Sequence, residues 1–260
     1  MIRLIAADLD GTLLYPDGNL PEGIFAVIRK LNAAGVRFAA ASGRQYGGLR
    51  QLFAPVQEQM DFICENGALI VAAGKETASY FPPAMAEEVI RDLLAAGMEV
   101  LLSAPETCYV RAQAEQSYVL DLLYRLRNTV TVLDDPLTAA GRCIKISGYH
   151  PDGVFRFASS LQEKWRGRVH CDIAGDNWLD FTLASKGSAI RRLADALGVS
   201  LEDTMAFGDQ FNDESMLDAV GHPYLMAHAP APLQAKGYAS CRRVMETLGA
   251  LLSAVEGKEG

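Results

Sequence analysis

The sequence predicts an α/β fold, with a Rossmann-like parallel-sheet core and an α+β domain inserted into it. Three observations carry that expectation. Short apolar runs alternate with helix-patterned segments through residues 1–80 and again through 185–260. Each of the runs 2–7, 36–41, 61–64 and 204–207 empties into polar, glycine-containing residues. Residues 81–184 carry half-apolar strands instead, which suit an antiparallel sheet with one open face.

Taken in order, residues 2–7 read as a buried strand and Asp8-Leu9-Asp10-Gly11-Thr12 as the loop leaving it. On extended backbone Asp8 and Asp10 share a side, and Gly11 lets the chain turn beneath them. A D-x-D-G-T pattern arises by chance on the order of 10⁻³ times in a chain of this size. Ile24, Val27, Ile28 and Leu31 have helical spacing over 21–34, with Pro21 in the first turn and Gly35 at the stop. The strand 36–41 then delivers Ser42-Gly43-Arg44, residues 45–54 are helical, and the strand 61–64 delivers Glu65-Asn66-Gly67-Ala68.

In the insert, a helix over 83–96 stops at Gly97 and is followed by strands at 98–103 and 107–112 and a helix over 114–126. Strands at 142–147 and 168–173 bracket a helix over 154–164, and 177–183 alternates with Leu179, Phe181 and Leu183 on one face. The core pattern returns at Lys186, which opens a helix with Ala189, Ile190, Leu193, Ala194 and Leu197 on one side. A strand at 204–207 runs into Gly208-Asp209-Gln210-Phe211-Asn212-Asp213. A helix at 214–219, a strand at 223–227 and a helix at 243–255 complete the core, and the tail 256–260 is expected to fray.

Composition narrows the function. Lys+Arg 24 against Asp+Glu 32 gives a formal charge of −8, with no long basic run, so nucleic-acid binding is not expected. No apolar stretch is long enough for a membrane span, and the N-terminus lacks a charged region and cleavage site. A cytoplasmic protein, monomeric or homodimeric, is the expectation. The cysteines, Cys64, Cys108, Cys143, Cys171 and Cys241, are odd in number with no C-x-x-C pair, which favours reduced and mostly buried thiols. His150, His170, His222 and His228 lack metal-ligand spacing. An acidic chain handling an anionic substrate must build its positive site locally, from a metal ion, a lysine or helix N-termini.

The stretches 8–14, 41–44, 65–68, 185–187 and 208–213, in that order, resemble the haloacid-dehalogenase-like (HAD) phosphohydrolases, specifically their Cof-type sugar-phosphatase branch. The resemblance spans nearly the whole chain and implies that the insert is an α/β cap. It implies a Mg²⁺-dependent phosphatase of small phosphate monoesters, in which Asp8 attacks phosphorus to form an aspartyl-phosphate. Asp10 protonates the leaving oxygen and then deprotonates water, and Lys186 pairs with the phosphoryl group and Asp8. Ser42, Gly43, Asn212, Arg44 and Asn66 are the implied substrate contacts. Asp8, the backbone carbonyl of Asp10, and Asp209 are the implied metal ligands, with Asp213 as a further ligand, direct or through water, or else a cap of the helix after it. A phosphosugar mutase and a non-catalytic phosphosugar-binding module are the alternatives. The chain departs from the branch at His228, where asparagine is usual, and over 238–244, which lacks the usual threonine-rich loop; both departures bear on the outer pocket.

Overall fold

The computed structural model describes residues 1–112, 118–126 and 128–256. The start of the helix expected at 114 and the tail 257–260 lie outside the described residues. In chain order the elements are β1 (Leu4–Asp8), α1 (Ile24–Ala33), β2 (Arg37–Ala41), α2 (Tyr46–Leu52), β3 (Asp61–Cys64), β4 (Leu69–Ala72) and β5 (Lys75–Ala78). There follow α3 (Pro83–Ala95), β6 (Glu99–Ser103), β7 (Cys108–Arg111), α4 (Tyr118–Arg125), β8 (Val130–Leu133), β9 (Lys145–Tyr149), α5 (Phe155–Trp165), β10 (His170–Ile173) and β11 (Trp178–Thr182). The chain ends with α6 (Lys186–Leu197), β12 (Thr204–Gly208), α7 (Phe211–Leu217), β13 (His222–Met226), α8 (Ala231–Gln234), β14 (Ala239–Cys241) and α9 (Val244–Glu256).

Two compact units result. One comprises Met1–Gly43, Leu52–Glu76 and Lys186–Gly260, the other Arg44–Gln51 and Thr77–Ser185. The sequence places the boundaries at 80/81 and 184/185 and does not separate the short segment Arg44–Gln51 from the core.

The first unit carries the sheet β14-β13-β12-β1-β2-β3-β4-β5. Every pairing from β14 to β3 is parallel, and β4 runs antiparallel to β3. β1 is buried along its whole length, as a central strand covered on both faces must be. On one face Leu4, Ala6, Ala39 and Ile63 pack with Ala189, Ile190 and Leu193 of α6 and Met216 and Leu217 of α7. Small residues in the strands let those helices approach closely. α1 packs against β2 and α9, and Phe25, Phe53 and Phe62 meet edge to face at 6.5 and 6.4 Å.

Register decides what the strands deliver. Asp8 pairs with Ala41, Ala41 with Ile63, and Ala7 with Phe207. Asp8, Ser42 and Asp209 therefore leave one carboxyl edge of the sheet side by side, where ligands of open α/β sheets bind.

The second unit has the sheet β10-β11-β9-β6-β7-β8. Its pairings are antiparallel except β7 with β8, which is parallel and corrects the all-antiparallel expectation. α4 lies between those two strands, and a helical crossover returns the chain in its original direction. Val100, Leu102, Ile146, Leu179 and Phe181 face α3 and α5, where Trp165 is fully buried. The other face is not fully open as expected, because Val119, Leu120 and Leu123 of α4 cover Leu101, Cys108 and Val110. Polar groups occupy the rest of it: Ser147 Oγ donates to Asp180 Oδ1 at 2.6 Å, with Lys145 Nζ 3.6 Å from Asp180 Oδ2. Beside them the Tyr149 and Trp178 rings meet at 5.1 Å.

Among the described residues, no helix is long and apolar enough to cross a membrane. Cys64, Cys108, Cys143 and Cys241 are buried thiols.

One buried charge holds the β3 side of the core together. Asp61 is fully buried and accepts from Arg37 Nε at 2.9 Å, Arg37 Nη2 at 2.6 Å and the Ala73 amide at 2.8 Å. It thus ties β2 to the turn after β4. Asp61→Ala removes all three bonds, and a loss of about 2–3 kcal/mol is expected, with Arg37 recovering part of its solvation. Urea denaturation of the two proteins measures it.

Candidate active site

The site begins where β1 ends. Asp8 is almost fully buried, and residues 9–13 make one wide turn closed by the Leu14 amide donating to the Leu9 carbonyl at 2.8 Å. Gly11 sits at φ 86°, and a Cβ there would lie 2.4 Å from Asp209 Oδ2, so only glycine lets the turn pass beneath that carboxylate. Thr12 Oγ1 donates to Asp209 Oδ1 at 3.0 Å and fixes it from the same turn. Asp10, two residues on, is exposed.

Lys186, the first residue of α6, is 1% exposed. Its Nζ donates to Asp8 Oδ1 at 2.5 Å and to Asp213 Oδ1 at 2.6 Å. The helix start reaches this depth because a Cβ on Gly187 would lie 2.3 Å from the Ser215 carbonyl of α7, a contact that glycine avoids. The Gly187 amide donates to Ser215 Oγ at 3.1 Å across the same approach.

Asp213 is fully buried in the first turn of α7, which begins at Phe211 rather than at the expected 214. Its Oδ2 accepts from the Asp209 amide at 2.9 Å and the Gln210 amide at 3.1 Å, completing a capping box with Gln210. With Oδ1 taken by Lys186, both Asp213 oxygens have donors. Asp209 Oδ2 accepts from Gln210 Nε2 at 3.2 Å and lies 3.7 Å from His228 Nε2.

Ligand oxygens of Asp8, Asp209 and Asp213 lie within 4.8 Å of one another. The Asp10 side chain is not part of this cluster. Three carboxyl groups stand against one ammonium, and every donor is a hard oxygen. A divalent cation such as Mg²⁺ fits this set in charge and in ligand type.

The electrostatics follow. Burial, then repulsion from Asp213, pushes the Asp8 carboxyl up to about 8 against the pull of Lys186. Burial and Asp213 likewise raise Asp209. For Lys186, burial alone acts downward, but Asp213 and Asp8 outweigh it and hold the ammonium above its ordinary range.

A second cluster of predicted residues stands at the ends of β2 and β3. Ser42 is buried; its amide donates to the Ile63 carbonyl at 2.8 Å, and its carbonyl accepts from the Asn66 amide at 3.1 Å. Glu65 and Asn66 both have positive φ, a backbone strain that turns the Asn66 side chain toward Gly43 and Asn212. Asn212 Nδ2 donates to Asn66 Oδ1 at 3.4 Å, and a Cβ on Gly43 would stand 3.1 Å from that oxygen. Arg44 belongs to the second unit. Sequence reasoning assigned no part to Thr12, Gln210 or Ser215. Thr12 and Gln210 lie inside the motif stretches 8–14 and 208–213, whereas Ser215 has no local signal.

A family model described as haloacid dehalogenase-like hydrolase matches residues 5–242. The 5-amino-6-(5-phospho-D-ribitylamino)uracil phosphatase YbjI of Escherichia coli K12 is 26% identical over 245 residues, covering 88% of this chain and 86% of its own. The HMP-PP phosphatase of Enterobacter sp. strain 638 is 28% identical over 251 residues, covering 91% and 88%. Among solved structures, a haloacid dehalogenase-like hydrolase from Bacteroides thetaiotaomicron superposes with a TM-score of 0.83 at 18% identity, over 96% of this chain and 100% of its own, a likeness of fold.

Two predictions follow from this geometry. Because the folded Asp8 carboxyl holds its proton up to about 8, against ~3.9 when unfolded, the native state binds more protons in between and metal-free stability falls as pH rises across that window. Asp8→Asn is expected to flatten that fall and to raise the midpoint near pH 8 by about 2–4 °C, as thermal melts in EDTA across the window will show. Gly187→Ala forces α6 from α7 and is expected to cost about 1–3 kcal/mol in urea denaturation.

Proposed function

The chain belongs to the haloacid dehalogenase-like hydrolases, in their Cof-type branch, and is a phosphoric monoester hydrolase; on that premise we propose that it hydrolyses small phosphorylated metabolites through an aspartyl-phosphate on Asp8, with Mg²⁺. The observation that carries this reading is the buried Asp8 carboxylate, held at 2.5 Å by Lys186 and flanked by Asp209 at the end of the parallel sheet.

In the first step an Asp8 oxygen attacks phosphorus, the bond from phosphorus to the leaving oxygen breaks, and Asp10 gives its proton to that oxygen. In the second, Asp10 takes a proton from water as the water attacks the phosphoryl group on Asp8, and inorganic phosphate leaves. Burial suits Asp8 to the first task, because it strips water from the attacking oxygen while Lys186 orients it. Exposure suits Asp10 to the second, since its proton must exchange with water and the leaving alcohol.

Asp8, Asp209 and the Asp10 carbonyl would hold Mg²⁺, while Asp213, both of whose oxygens already serve Lys186 and the loop amides, would position the lysine and the loop beside them. When bound, the ion supplies positive charge against the phosphoryl oxygens. Ser42, Gly43, Asn66 and Asn212 contribute hydrogen-bond groups for the phosphate, and Arg44, next in sequence to Gly43, a cation. The second unit serves as a cap that selects the leaving group. The substrates are sugar phosphates or related monoesters, a reading that the phospho-D-ribitylamino compound in the name of one relative supports.

Phosphate release over a panel of sugar and nucleotide-precursor phosphates tests the proposal. Wild type is expected to hydrolyse at least one member, with activity abolished by EDTA and restored by Mg²⁺. Asp8→Asn should lose at least ~10³-fold and Asp10→Asn about 10²–10⁴-fold. An Asp8→Asn enzyme as active as wild type would sink the mechanism. Isomerisation of a sugar phosphate without phosphate release would establish the mutase instead.

A further inference from the structure

We propose that the first unit carries a second binding site, for a small molecule with an apolar body and one negatively charged group, separate from the phosphate-handling cluster. A cavity of about 560 Å³ lies behind the aspartate loop. Pockets that enclose small organic ligands span about 300–1,000 Å³, so its size suits one such molecule. Its walls are chiefly Leu14, Pro21, Met226 and Met245, with the half-exposed Tyr15 ring at the side. Nothing among those side chains handles phosphate; they accept an apolar or aromatic body.

The charge is supplied at the rim. Arg242 and Arg243 are both exposed and both line the cavity, and His228 stands beside them. Arg243 has a carboxylate neighbour in Glu246 at 3.8 Å, an exposed pair of little strength that an anionic ligand can displace. In a chain with a net charge of −8, two adjacent arginines over an apolar cavity complement an anion.

The two stretches where this chain departs from its resemblance to the Cof-type branch, His228 and 238–244, supply His228, Arg242, Arg243 and Val244 to the cavity wall. The departures therefore fall together in space and change one surface. The far wall is Gly11 and Thr12, the same residues that touch Asp209, and His228 lies 3.7 Å from that carboxylate. A ligand here would press on the back of the turn that seats Asp209.

The probe is 1-anilinonaphthalene-8-sulfonate, an aromatic anion of suitable size, titrated by fluorescence against the full chain in EDTA. One molecule per chain is expected. The Arg242→Ala/Arg243→Ala variant, altered only at exposed side chains and checked by circular dichroism, should bind about tenfold more weakly. N-phenyl-1-naphthylamine, the same ring system without the sulfonate, should bind wild type about tenfold more weakly and be indifferent to the double variant. Met245→Trp, which fills the cavity, should reduce binding of both probes. Asp8→Asn should bind the sulfonate as wild type does, and inorganic phosphate should not displace it. Equal binding by the double variant, equal affinity for the uncharged probe, or displacement by phosphate would each overturn the proposal. Loss of hydrolysis with probe binding intact would instead count only against the catalytic reading.

Discussion

Lys186 is the pivot of the molecule. A lysine at the first position of a helix stands at the positive end of the helix dipole, and a buried one has also lost its water. Both effects oppose an ammonium there, and the two short bonds to Asp8 and Asp213 reverse the balance. The result is a three-way clamp joining the end of β1, the start of α6 and the first turn of α7, segments from opposite ends of the chain. Gly187 sets how closely α6 meets α7, and the Asp213 capping box sets where α7 begins. Without the clamp, the carboxylates at the sheet edge would repel one another and the loops bearing them would lose their common anchor.

The clamp also divides the acids by what their oxygens have left to do. Asp213 is committed on both sides, to Lys186 and to two amides, so its work is positional. Asp209 is steadied by neutral donors on Thr12 and Gln210, and its His228 neighbour is beyond hydrogen-bond length. Asp8 has one oxygen on Lys186. The capacity to hold a hard divalent cation therefore concentrates on Asp8 and Asp209. The sequence alone leaves Asp213 open between ligand and cap; the hydrogen bonds favour the cap.

Much of this was legible because it is written locally. Strand ends are marked by a change from apolar to polar residues, so Asp8, Ser42, Asn66 and Asp209 could be aligned before any geometry was known. Helices with a full apolar stripe, such as α6, read equally well. What escaped were elements too short for periodicity to register: the four-residue strands β4, β5 and β8, the single-turn α8 and the three-residue β14. β8 and β10 are edge strands in which no residue is buried; the sequence marks β10 because it carries a longer flanking pattern. The strand β9 was placed about three residues early because residues 136–142, apolar in part, coil into 3₁₀ turns. Nor could local pattern reveal pairings across 197 positions, as between Thr12 and Asp209.

The same distinction explains why the reaction is easier to read than the substrate. In the core, ladder hydrogen bonds hold adjacent strands about 4.8 Å apart, so one residue type at each strand end defines a constellation to within an ångström or so. A phosphoryl group, compact and tetrahedral, is recognised on that scale. Beyond the strand ends lie loops whose course depends on packing, as at 227–230 and 242–243, and there one sequence permits many wall shapes. Those loops here enclose an apolar, arginine-rimmed cavity against the back of the Gly11 turn. Chemistry at the front of that turn is therefore determined by strand ends, while its rear meets the end of β13, the arginine-bearing loop and the start of α9. A change in the rear wall can reach Asp209 through Thr12 without altering any residue that meets phosphate.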